Sequence, residues 1–105
     1  MSTQQPEIIE VVKERSEVRT QEPPMYRVIL HNDDYTTRDF VVEVLVYVFH
    51  KSPEAAVTLM WQVHRQGTGL AGIYPRDVAE TKVSTVTSLA REHGFPLRTT
   101  MEPEP

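Results

Sequence analysis

The sequence predicts an α+β domain in the order β-α-α-β-α-β, a two-layer sandwich in which a three-stranded sheet packs against three helices. Three observations carry this reading. Met25–His31 alternates apolar and polar residues and runs into the polar cluster Asn32-Asp33-Asp34. Two later segments open with a proline-marked helix start and keep apolar residues at helical spacing. Phe95-Pro96 then turns the chain into a last strand, Leu97–Met101. With 105 residues there is room for one compact domain and too little chain for two.

Residues 1–24 differ in composition from the rest of the chain. They hold Glu7, Glu10, Glu14, Glu17 and Glu22 among Lys13, Arg15 and Arg19, with no aromatic residue. Such a stretch buries too little to offset its ordering entropy, so a flexible N-terminal extension is expected, closed by the stiff pair Pro23-Pro24. The domain proper is expected over residues 25–101, with 102–105 as a tail that holds no structure.

The first strand is Met25–His31. Phe40–Phe49 is rich in β-branched residues and on composition alone could be a buried strand. Its entry favours a helix. Thr36 or Thr37 can cap it, and Asp39 stands in the first turn near the positive end of the helix dipole. Val41, Val44, Leu45 and Val48 then share a face. Ser52-Pro53-Glu54 opens the second helix, whose stripe is Ala56, Leu59, Met60 and Val63, and Gly67 ends it. Gly69–Tyr74 reads as a short strand loosened by glycine. Pro75 starts the third helix, with Ala79, Val83, Val86 and Ala90 on its stripe, and Gly94 stops it.

Composition closes several functional classes. A formal net charge of -4 argues against a general nucleic-acid binder, which needs a basic face. The chain has no cysteine, so disulfides, thiolate zinc sites and thiol nucleophiles are ruled out. No run approaches the ~18 apolar residues of a membrane span, and a cytoplasmic location is expected. There is no nucleophile elbow and no glycine-rich phosphate loop. Asp33 and Asp34 are adjacent and point apart, a poor arrangement for paired acid–base catalysis. A calcium loop starting at Asn32 fails at its sixth position, where Thr37 replaces the required glycine. No enzyme activity, metal or cofactor is expected.

A site for a small cationic group fits better. Met60, Val63 and His64 lie one helical turn apart, giving an apolar face with one imidazole. A histidine there is commonly structural. Beside the turn Asn32–Thr36, however, it would complete a rim of carboxylate, amide and imidazole around apolar walls. That combination suits an ammonium next to an apolar side chain, which is the start of a polypeptide.

Four segments also resemble the ClpS family, the bacterial adaptors of the Clp protease: Tyr26-Arg27-Val28-Ile29-Leu30-His31-Asn32-Asp33-Asp34-Tyr35-Thr36, Leu59–Gly67, Val78–Val83 and Phe95-Pro96-Leu97. The resemblance spans about residues 24 to 101 in order. It implies a fold like the C-terminal domain of the ribosomal stalk protein. It implies an N-degron adaptor that binds proteins beginning with Leu, Phe, Tyr or Trp and delivers them to the N-terminal domain of the ClpA or ClpC unfoldase. By the same resemblance, Asn32, Asp34 and His64 hold the free α-amino group, with Asp33 shaping the turn. Leu30, Thr36, Val41, Met60, Val63 and Leu97 line the side-chain pocket. Asp77, Glu80 and Lys82 dock on the unfoldase, which also engages the segment before Pro23. Many members have methionine at the pocket gate where this chain has Arg38, whose aliphatic stem can still cover a pocket. His31 replaces a commonly apolar residue at the pocket edge. A monomer is expected, with no nucleic acid or membrane partner. The alternative is a docking module for the unfoldase that lacks an N-degron pocket.

Overall fold

The computed structural model describes residues 23–105. The expectations for residues 1–22, including the flexible extension, lie outside that range. The observed order is β1 (Met25–His31), α1 (Arg38–Tyr47), α2 (Pro53–Gln66), β2 (Thr68–Pro75), α3 (Arg76–Glu92) and β3 (Arg98–Pro103). The sheet is antiparallel in the order β2-β1-β3, so the first strand is central.

Alternation in β1 sorts the sheet into two faces. Val28 and Leu30 are fully buried toward the helices, where they meet Val44, Leu45, Ala56, Val63 and Val86. Arg27 and His31 belong to the other face. There Arg27 reaches Glu102 at 3.6 Å and Glu104 at 3.5 Å, and His31 Nε2 lies 2.7 Å from Thr100 Oγ1.

The first two helices begin as their sequence dictates. Thr37, not Thr36, caps α1, its hydroxyl accepting from Phe40 N at 3.1 Å. Ser52 caps α2 by accepting from Ala55 N at 3.2 Å, with Pro53 in the first turn. Gly67 ends α2 in the left-handed region at φ 92°, its N–H donating to Val63 O. Helix α1 stops at Tyr47, leaving Val48 and Phe49 buried beyond its end and His50 at φ 57°.

The last turn of α1 has no basic residue of its own. Lys82 of α3 supplies the charge instead, its ammonium donating to Val48 O at 2.6 Å. A cation at that end satisfies a carbonyl the helix leaves free and complements the helix dipole.

Two strands differ from the sequence expectation. Strand β2 runs from Thr68 to Pro75, and it contains a bulge that the glycines did not announce. Val28 pairs with Gly72 but Ile29 pairs with Leu70, so Ala71 is an extra residue. The bulge reverses the alternation. Gly69 and Ala71 face inward, Ile73 is 41% exposed, and Tyr74 packs back against the core. Gly69 does not loosen the strand. It permits close approach to α2, since a Cβ there would lie 2.6 Å from Val63 Cγ2.

Strand β3 begins one residue later than expected, with Leu97 buried just before it, and continues to Pro103. Glu102 pairs with Arg27 and Pro103 with Tyr26, while Glu104 N donates to Met25 O at 2.8 Å. The expectation of an unstructured tail over 102–105 is corrected through Glu104. Cross-strand pairing and the Arg27 ion pairs hold a segment whose composition suggests none.

Replacing Lys82 by methionine keeps the aliphatic stem and removes the ammonium. Lys82→Met is expected to lower stability by about 1–2 kcal/mol. In urea titrations this should appear as a lower midpoint with an unchanged slope.

Candidate functional site

The site is built where β1 stops. Asn32 N donates to Gly67 O at 2.8 Å, tying the end of the central strand to the residue that caps α2. His64 lies three residues before Gly67, on the last turn of α2. The polar turn and the imidazole are therefore held by one backbone link. Asn32, Asp34 and His64 are all exposed.

Asp33 plays a different part from its neighbours. Its Oδ1 accepts from Tyr35 N at 2.8 Å and Thr36 N at 2.7 Å, and its Oδ2 accepts from Thr36 Oγ1 at 2.7 Å. Partial burial pushes the carboxyl pKa up, but the bonds from Thr36 and Tyr35 outweigh it and hold Asp33 below its ordinary value. Asp33 folds the turn back on itself. Asp34 makes none of these bonds.

The residues expected to line a side-chain pocket converge. Leu30 from β1, Val41 from α1, Met60 and Val63 from α2 and Leu97 before β3 are buried in one apolar cluster. Thr36 is half-buried, its hydroxyl committed to Asp33. Phe40 fixes the start of α1 over this region, its ring 5.1 Å from His93 and 5.0 Å from Phe95, centroid to centroid.

Arg38, expected at the pocket gate, lines a groove with Met60 of the apolar cluster. Its guanidinium stands 5.1 Å from the centroid of the Trp61 ring, and that of Arg65 stands 5.0 Å from the same centroid. The Trp61 ring also meets His64 edge-on at 5.8 Å. A groove of about 400 Å³ runs here, lined by Thr37, Arg38, Asp39, Met60 and Trp61. The sequence reading missed Trp61 and Arg65. Their i, i+4 spacing was visible, but the approach of Arg38 from another helix was not.

The expected docking residues lie apart from this rim, on α3. Asp77 borders two hollows, one of about 420 Å³ with Tyr47, His50 and Lys82, the other of about 520 Å³ with Tyr26, Arg76 and Glu80. Glu80 accepts from Arg76 Nε at 3.2 Å, and Lys82 is held by Val48 O. Of the three, Asp77 alone makes no side-chain hydrogen bond or ion pair to another described residue.

Fold and rim together define a small α+β sandwich of the adaptor type, with the polar rim at one place and the α3 face apart from it. The profile of the family described as "ATP-dependent Clp protease adaptor protein ClpS" matches residues 21–100, and the chain belongs to that family. It is 55% identical over 104 residues to the ATP-dependent Clp protease adapter protein ClpS of Desulforapulum autotrophicum, covering 99% of this chain and 100% of that one. It is 57% identical over 86 residues to the Myxococcus xanthus protein of the same name, covering 82% of this chain and 80% of that one. Among solved structures, Agrobacterium tumefaciens ClpS2 bound to L-phenylalaninamide aligns with a TM-score of 0.76 at 46% identity, over 79% of this chain and 100% of that one. The α+β fold and the adaptor class both agree with the sequence reading. Among the described residues, no helix is long and apolar enough to cross a membrane.

The Asp33 pKa has a consequence for acid stability. The folded carboxyl lies below its unfolded value, so the unfolded chain binds the proton first as pH falls. The stability it contributes is complete above the ordinary carboxylate range, about pH 3.9, and is lost as pH falls through the lower folded value. Asp33→Ala is expected to cost about 1–2 kcal/mol at neutral pH, after allowance for partial exposure. Denaturant midpoints of the two proteins should converge in acid.

Proposed function

We propose that this Clp adaptor recognises N-degrons. It binds the free α-amino group of a protein whose first residue is Leu, Phe, Tyr or Trp and hands that protein to the unfoldase. The observation that carries the reading is the Asn32–Gly67 backbone bond, which holds an acid- and amide-bearing turn at the same helix end as His64. Asn32, Asp34 and His64 supply acceptors for an ammonium, with Asp33 setting the turn. The cluster of Leu30, Val41, Met60, Val63 and Leu97 supplies apolar walls, with Thr36 and the stem of Arg38 at the edge. The relative solved with L-phenylalaninamide supports the reading, since that molecule joins a free amine to a large apolar side chain.

The energetics suit an adaptor that must release its cargo. Hydrogen bonds to a charged group contribute roughly 1.5–3 kcal/mol each, and burial of a Leu or Phe side chain roughly 1.5–3 kcal/mol. Association and ordering remove much of that sum, leaving about -8 kcal/mol, on the order of micromolar affinity. Neither the amine nor the side chain suffices alone.

The partner is the N-terminal domain of ClpA or ClpC, contacted through the face around Asp77, Glu80 and Lys82. The segment before Pro23 is the part gripped during delivery.

Fluorescence anisotropy with a labelled Leu-initiated peptide tests the site. Acetylating its N-terminus, or replacing His64 by alanine, is expected to weaken binding by about tenfold or more, one charged hydrogen bond's worth. Equal affinity of free and acetylated peptides would remove the amine site. In a reconstituted degradation assay, a variant lacking residues 1–20 should bind the free-amine peptide normally and fail to deliver a Leu-initiated protein. Intact delivery would contradict the role given to the arm.

A further inference from the structure

We propose that Arg38 and Arg65, gathered on the Trp61 ring, select substrates with acidic side chains immediately after the first residue. This inference rests on the N-degron reading and concerns the same rim.

The two guanidiniums stand 5.1 Å and 5.0 Å from one ring centroid, although they come from different helices. The face of an indole attracts cations and offsets part of their mutual repulsion. Among the described residues neither guanidinium makes an ion pair, and both side chains are exposed. Two like charges held together without a counter-ion raise the local positive potential on a chain whose net charge is -4.

Their location gives that potential a use. Trp61 follows Met60, a wall of the apolar cluster, and meets His64 edge-on at 5.8 Å. A first residue with its amine at His64 and its side chain against Met60 has its next Cα about 3.8 Å further along the chain. Side chains at positions two and three then come within reach of the Trp61 edge. A carboxylate there can pair with a planar guanidinium by two hydrogen bonds, and an ammonium meets repulsion.

Other charges near the rim include Asp33, whose carboxylate is taken up by Tyr35 and Thr36 within the turn, Asp34 and Asp39. Asp34 faces the α-amino group in the proposed mode. Asp39 lines the groove and lies in the first turn of α1, where the helix dipole partly offsets its charge. The remaining cation pair is solvent-exposed, so its effect is modest and screened by salt.

The test uses three free-amine peptides that begin with Leu and carry Glu-Glu, Ala-Ala or Lys-Lys at positions two and three. Anisotropy is read at about 0.05 M and about 0.5 M salt. At low salt the Glu peptide is expected to bind about fivefold tighter than the Lys peptide, with Ala between, and the ratio should shrink at high salt. Arg65→Gln should cut the ratio by about half or more. Lys51→Gln removes the same charge just before the start of α2, at the opposite end of that helix from Arg65, and should leave the ratio unchanged. Equal binding of Glu and Lys peptides, or tighter binding of Lys, overturns the selectivity while the Ala peptide's binding upholds the amine site. An equal loss of selectivity in both variants overturns the local pair in favour of the overall field. Failure of all three peptides to bind removes the N-degron reading and this inference together.

Discussion

The geometry of the rim depends on a single residue, Gly67. Its N–H closes α2 onto Val63 O, and its carbonyl receives Asn32 N at the end of the central strand. One residue thus ends a helix and positions the turn that comes after a strand. The left-handed φ of 92° makes glycine the natural occupant, because a Cβ raises the energy of that region. The direction of Asn32 and Asp34, and their closeness to the last turn of α2, come from that junction. Asp33 completes the arrangement by turning its carboxylate inward onto Tyr35 and Thr36, which leaves Asp34 free to face outward.

The apolar residues at the site are also residues of the core. Leu30 is wholly buried, and Val41, Met60, Val63 and Leu97 belong to the same cluster as Val28, Leu45 and Val86. In the proposed binding mode, recognition and folding therefore draw on one set of contacts. Enlarging or trimming a wall to change what it accepts also changes packing that the whole domain relies on, at a cost of about 1–3 kcal/mol for an overpacked core and more for a cavity. Selectivity is more easily adjusted at the rim, where Arg38, Trp61 and Arg65 are outside that cluster's buried set.

What the sequence disclosed was mostly local. Thr37, Ser52 and Gly67 mark helix ends through bonds spanning three or four residues, and the stripe Ala56, Met60, Val63 comes from helical period alone. The turn around Asp33 was legible for the same reason. Features that need two distant segments were not. The bulge at Ala71 exists only relative to the register of β1. The ordering of Glu102 and Pro103 comes from pairing with Arg27 and Tyr26, at the opposite end of the domain sequence. The bond from Lys82 to Val48 joins residues 34 positions apart, on different elements. Family resemblance supplied the roles proposed for Asn32, Asp34 and His64, which spacing alone could only suggest.

The bulge in β2 has a further effect, on the sheet's margins. Among the described residues, with β1 at the centre, β2 and β3 each leave one row of backbone groups without a strand beside it. Open rows of this kind invite pairing with a second chain and lead toward aggregation. Here the extra residue at Ala71 breaks the regular spacing of one margin, and Pro75 closes it. The other margin is six residues long, carries Arg98 and Glu102, and ends in Pro103. Prolines, charges and a kink make both borders poor templates for another strand. The same backbone that returns Tyr74 to the core thus keeps a small three-stranded sheet from growing.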